Sequence, residues 1–124
     1  MEERLRDFGK GKIGFHTEKV RFGEPMYKTA ERCLLKETGL KGTFVYLGII
    51  HIIRKEKYYP FIDVVLHYFK VIATKGELIK QTDENKNFWV DEKNIRLMKN
   101  LLPDIIDILH LLQTSKHFFK EIIY

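Results

Sequence analysis

The side chains of this sequence best suited to act on a phosphate lie between residues 19 and 37. Lys19 and Arg21 are cations in a glycine-punctuated stretch. Glu24 and Arg32 can form an ion pair that either serves a reaction centre or ties a loop to the segment after it. Cys33, Lys36 and Glu37 stand at i, i+3 and i+4, a spacing that brings them to one face if the segment is helical. Hard divalent cations require oxygen ligands, and on that face only Glu37 offers a carboxylate. The thiol is neutral, and the Lys36 ammonium cancels the charge of Glu37. Lys36 is instead suited to meet a phosphate directly, as a point charge. Cys33 has no histidine near it in sequence and reads as a small buried hydrophobe rather than a nucleophile. The histidines His16, His51, His67, His110 and His117 show no metal-ligand spacing. His51 and His67 lie in strand-like runs, where packing or hydrogen bonding is the ordinary role.

The elements that must position these groups are legible in outline. Glu24-Pro25 announces a helix over Met26–Thr38, and Gly39 supplies its left-handed stop. Met26, Ala30 and Leu34 recur at i, i+4 and i+8 and predict one buried stripe. Thr43–Ile53 and Phe61–Ala73 are rich in β-branched and aromatic residues and predict two long antiparallel strands, the second following Pro60. Arg54-Lys55-Glu56-Lys57 between them reads as a solvated hairpin tip. Asp83–Asn87 is a polar loop leading to a short strand, Phe88-Trp89-Val90, and Asp91–Asn94 starts a turn or helix. Pro103-Asp104 opens a helix whose Ile105, Ile106, Ile108, Leu109, Leu111 and Leu112 cover a wide apolar face. The run Phe118–Tyr124 is apolar enough to pack back or meet a partner. This order predicts an α/β fold with a mixed sheet between helices.

Length and composition set the bounds. The 124 residues suffice for one domain, 1–124, and 44% hydrophobic with 13% aromatic content supplies a real core. No apolar run reaches the roughly 20 residues that span a bilayer, and the opening residues hold no apolar core of a secretory leader. A single cysteine forms no internal disulfide, so a reducing, cytoplasmic setting is expected. Twenty-two Lys and Arg against 17 Asp and Glu give +5, a balance that favours phosphate-bearing partners such as nucleotide or RNA.

The stretch from Glu18 to Leu40 resembles the box of the Nudix hydrolase family. Glu24 stands at the first fixed glutamate, Arg32 at the arginine, Leu34 at the first aliphatic, Glu37 at the last glutamate and Gly39-Leu40 at the closing pair. Gly11–Phe15 and Lys19–Glu24 are similar to the family's lead-in, and Asn87–Val90 with Asp91-Glu92 to its aromatic strand and turn. The likeness spans about residues 9 to 95. Three fixed positions depart: Glu18 stands for a glycine, Cys33 and Lys36 for glutamates. The family holds magnesium or manganese on three helix carboxylates against a substrate diphosphate.

The resemblance implies a Nudix-like α/β/α sandwich, shortened at its N-terminus because few residues precede the lead-in, with a sheet edge left bare there. It implies catalytic positions at Glu37, Glu24 and Arg32 and metal ligands at Glu37 and, from the Asp83-Glu84 loop, Glu84. Phosphate contacts fall to Lys36, Lys19 and Arg21. The lost carboxylates predict a degenerate, catalytically impaired domain without a bound cofactor, which binds a nucleotide, RNA or a ribonucleoprotein, or pairs with itself through the exposed edge, away from membranes. The alternative is a working hydrolase of a nucleoside diphosphate linked to another moiety, in which Mg2+ or Mn2+ sits on a rebuilt site. Trp89, Tyr58, Tyr59 and Phe61 could stack on a base, or pack in core and loops.

Overall fold

A computed structural model describes residues 1–6, 9–55, 57, 61–114 and 117–124. Glu56, Tyr58, Tyr59 and Pro60, singled out above, lie outside the described residues. In chain order the elements are β1 (Glu2–Arg4), β2 (Ile13–Gly14), α1 (Met26–Thr38), β3 (Lys41–Arg54), β4 (Ile62–Lys75), β5 (Asn85–Asn87), a 3-10 helix over Glu92–Leu97, α2 (Pro103–Thr114) and β6 (Phe118–Ile123).

Two three-stranded sheets form, ordered β2-β1-β5 and β4-β3-β6. The second is mixed, because β3 runs antiparallel to β4 and parallel to β6. Register within it decides which side chains meet which helix. An extra residue on β3 between Tyr46 and Gly48 breaks the alternation, as a bulge does by re-aiming the residues beyond it. Before it, Phe44 and Tyr46 share a face with Phe69, whose ring also meets Tyr27 of α1 at 5.0 Å between centroids. After it, Ile50 and Ile52 turn to the opposite face and pack with Ile108 of α2, Val64, Leu66, Phe118 and Ile122. The sheet therefore has α1 on one side and α2 on the other.

Gly48 sits at the turning point. A Cβ there would lie 2.2 Å from the Phe118 carbonyl oxygen, so only glycine lets β6 come this close. A second core joins Ile95, Ile105 and Leu109 beneath Phe15, Val90 and Leu101.

Several expectations are corrected. The opening strand is short, and instead of leaving an edge bare it is paired on both sides, to β2 and β5. Among the described residues β1 has a neighbour on each side, and the outer strands are β2 and β5 in the short sheet and β4 and β6 in the long one. The short strand falls at Asn85–Asn87, not at Phe88-Trp89-Val90, and Trp89 is exposed. Here the side-chain bonds of Asn85 and Asn87, described below, outweigh the β-propensity of the aromatic residues. The Met26-Ala30-Leu34 stripe holds only in part: Ala30 and Leu34 are half-buried and Leu34 reaches Gly42 of β3, but Met26 is exposed and the fully buried positions are Thr29, Glu37 and Thr38. Arg54 is buried within β3, its guanidinium over the Tyr124 ring at 4.7 Å, and is no part of a solvated tip. The apolar run after α2 packs back as β6.

Candidate functional site

The inward face of α1 meets β1 and β5 through polar groups rather than hydrocarbon. Gly39, with φ 75°, accepts the left-handed stop, and its N–H donates to the Leu35 carbonyl. Three and two residues upstream of this stop, the helix presents Lys36 and Glu37. Glu2 on β1 is fully buried, as is Asn85 on β5, and Glu37 is 2% exposed. Asn85 Nδ2 donates to Glu2 Oε2 at 2.8 Å and also to Glu37 Oε2, while Asn85 Oδ1 accepts from Thr82 Oγ1 at 2.7 Å. One amide thus ties two buried carboxylates from separate elements.

Among the described residues, their other oxygens, Glu2 Oε1 and Glu37 Oε1, accept no hydrogen bond. Ion pairs stand nearby instead: Lys36 Nζ at 3.7 Å and Arg6 Nη2 at 3.9 Å from Glu37 Oε1, and Arg4 Nη1 at 3.5 Å from Glu2 Oε1. Burial raises the pKa of Glu37 above the usual carboxylate range, aided by Glu2 and opposed by Arg6 and Lys36.

Asn87, two residues on, donates through Nδ2 to the carbonyls of Glu37 and Ile79, 2.7 Å each. Its Oδ1 accepts from His16 Nε2 at 2.8 Å, and burial keeps His16 below its ordinary pKa. Because an amide oxygen only accepts, the neutral ring carries its proton on Nε2.

Outward from this buried layer lies a ladder of ion pairs. Arg32 grips Glu24 with two bonds, Nε to Oε2 at 3.0 Å and Nη2 to Oε1 at 2.8 Å, and Thr29 Oγ1 also donates to Glu24. The guanidinium first, then the hydroxyl, hold the Glu24 carboxyl down at about 2. Arg32 further donates to the Lys19 carbonyl at 2.8 Å and stands 3.2 Å from Glu18 Oε2. Glu24 and Arg32 therefore pin the loop 18–24 to α1.

Glu18 also receives Lys36 Nζ at 3.0 Å. Two departures from the family pattern thus compensate each other: a carboxylate where a glycine was expected faces an ammonium where a glutamate was expected. Glu18 does not have a positive φ, so no strained turn is imposed by its side chain.

Lys19 and Arg21 project from the loop into solvent. Glu84 pairs with Arg6 at 3.1 Å and, with Lys36, Glu37, Thr82 and Asp83, lines a depression of about 290 Å³. A larger groove of about 740 Å³ runs along α1 to the start of β3, with Lys28, Arg32, Lys36 and Lys41 against Glu24 and Glu31. Glu37, Lys36, Arg32, Glu24 and Glu84 are thus brought to one region, with Lys19 and Arg21 at its rim. Phe61 and Trp89 are exposed, outside the residues that line either hollow.

Glu37 is the one carboxylate on the helix face, half its oxygens are held by Asn85, and two cations flank the other. Burial first, then the charge of Glu37, pushes the Cys33 thiol up to about 12, so it stays protonated and is not the ligand a glutamate would be. Among the described residues, no group of three or more His, Cys, Asp or Glu side chains is placed to hold a metal ion.

Glu2, Arg6, Asn85 and Asn87 were not marked as site residues by the sequence. The only signal was two asparagines at i, i+2 in a polar loop, which would share a face if the segment were extended.

No family model matches the sequence, and no curated protein matches it. Among solved structures, a mutator MutT protein from Bacillus halodurans superposes with a TM-score of 0.73 over 85% of this chain and 69% of that one, at 20% identity. The fold is Nudix-like. Identity this low carries the α/β/α architecture and no activity. No helix among the described residues is long and apolar enough to cross a membrane.

Proposed function

We propose that this Nudix-like domain binds a phosphate-bearing ligand, a nucleotide or the backbone of an RNA, without metal-dependent hydrolysis. The observation that carries this reading is Lys36. Its side chain is 52% exposed and lies between the groove and the smaller depression, on the helix face where the family resemblance implies carboxylates. An ammonium there brings to a phosphate the positive charge that a divalent ion brings elsewhere. Lys28, Arg32 and Lys41 extend that field along the groove. Arg32 and Lys36 are paired with Glu24 and Glu18, and Lys28 with Glu31, so with Lys41 these four cations exceed the three carboxylates by one charge and Lys36 keeps the exposure to meet a phosphate.

Binding of a fluorescent nucleotide and of a short single-stranded RNA, each measured in excess EDTA and over a salt series, tests the proposal. Expected are metal-independent binding, affinity that falls as salt rises, and about a tenfold loss in Lys36→Ala. The competing reading is an active hydrolase that uses Glu37, Glu24 and Glu84. Phosphate or pyrophosphate release that requires Mg2+ or Mn2+ would overturn the proposal in favour of that reading. Binding unaffected by Lys36→Ala would remove its basis.

A further inference from the structure

On the face of the long sheet that α1 leaves uncovered, three strands contribute one charged group each. His51 of β3 has Nε2 2.7 Å from Asp63 Oδ1 of β4 and Nδ1 3.2 Å from Glu121 Oε2 of β6. The register places Glu121 directly beside His51. Both carboxylates are about half exposed. Phe119 and Ile123, on the same face of β6, are 67% and 70% exposed, so among the described residues nothing covers this part of the sheet. The next titratable group on the face is His67, which is engaged with the Tyr46 hydroxyl at 3.1 Å.

An ionised carboxylate only accepts, and a neutral imidazole has one N–H to give. Both contacts of His51 are hydrogen bonds only when the ring carries two protons. The geometry points to His51 as a proton-operated latch: its imidazolium ties β4, β3 and β6 together, and loss of one proton releases Glu121 and loosens β6 along β3.

The shorter contact, to Asp63, keeps the remaining proton. The released Glu121 then faces a ring nitrogen lone pair and, across the ring, the Asp63 charge. β6 is the element that responds because it pairs with β3 only over Gly48–Ile53, whereas β4 pairs with β3 from Lys41 to Arg54. Phe118 and Ile122 continue to hold its other face against Ile50, Ile52 and Ile108, so the strand loosens and does not leave. The hydrogen bond that His51 donates to Asp63, with Glu121 in support and desolvation in opposition, raises the pKa of His51 above its ordinary 6.5. This moves the switch toward neutral pH.

Nuclear magnetic resonance of the 15N-labelled full chain reads both halves of the inference. The Nδ1 and Nε2 shifts of His51 report its protons, and amide exchange protection factors for residues 118–123 report the hold on β6. Expected are a doubly protonated ring at low pH, deprotonation above pH 6.5, and protection of β6 that falls about two- to fivefold across the same titration. That range corresponds to the loss of one exposed ion pair. Protection of β3–β4 amides away from His51 stays level. In Glu121→Gln the pH dependence of β6 disappears while the sheet remains folded, and in Asp63→Asn the ring titrates lower. Level β6 protection through the His51 titration would overturn the latch. So would a ring that titrates at or below 6.5, or pH-dependent protection that survives Glu121→Gln.

Discussion

Asn85→Ala isolates the contact that joins β5 to β1 and α1. The wild-type amide gives one hydrogen bond to each of two buried carboxylates, Glu2 and Glu37. A hydrogen bond to a charged group contributes about 1.5–3 kcal/mol. Losing both while the acceptors stay buried is expected to cost about 3–5 kcal/mol, comparable to breaking a buried ion pair. At about 2.1 cal/mol/K per residue, the 124 residues carry an unfolding entropy of about 0.26 kcal/mol/K, so a loss of about 4 kcal/mol lowers Tm by about 15 °C.

The pH dependence of this loss has a definite sign. The folded chain holds the Glu37 proton more tightly than the unfolded chain, so native protein binds more protons above pH 4.5. Its stability therefore falls as pH rises from 4.5 through the raised value, and removal of the amide widens this window. The deficit of the variant is expected to shrink at pH 5, where a protonated Glu37 can donate to Glu2. Urea unfolding followed by far-ultraviolet circular dichroism at pH 5 and 7.5 measures it. A deficit below about 1 kcal/mol, or one equal at both pH values, would refute the reasoning.

Gly48→Ala places a methyl group on the Phe118 backbone and is expected to destabilise by about 2 kcal/mol or more, with loss of β6 amide protection as the specific sign. Cys33→Glu with Lys36→Glu is expected to create calcium and manganese affinity measurable by calorimetry; no gain would mean that Asn85 and Arg6 still occupy Glu37. Because Glu24 stays ionised to about pH 2, its bond to Arg32 adds stability above pH 4.5 that is lost as pH falls toward 2. Acid titration of Arg32→Ala should accordingly show a shallower decline than wild type below pH 4.5. Glu18→Gly is expected to lower Tm, since it removes the partner of Lys36 and relieves no positive φ.

What the sequence determined by itself was local or periodic. The stop of α1 at Gly39 and the start of α2 at Pro103 are set by the dihedral preferences of single residues. The long strands follow from runs of β-branched residues whose type does not depend on what they later touch. The spacing of Glu24, Arg32 and Glu37 likewise brought an ion pair and an acid to one helix and its lead-in before any fold was known, and the thiol at 33 and the ammonium at 36, where the resemblance implies carboxylates, were visible as residue types.

The tertiary structure alone decided which face of α1 is buried, because Asn85 and Asn87 of β5 bond Glu37 and the loop residue Glu24 takes the Thr29 hydroxyl, while Met26 finds no comparable packing. It also decided that Asn85–Asn87 forms the strand, since three-residue strands have too little propensity of their own to resist the hydrogen bonds offered by partners 48 to 83 residues away. The parity of β3 hangs on one bulged residue, whose register is fixed only when β4 is in place. Glu2, a single acid near the start of a charged segment, has no pattern at all. Its role comes from long-range pairing, in which contact is bought with loop closure and leaves no trace in the neighbouring residues.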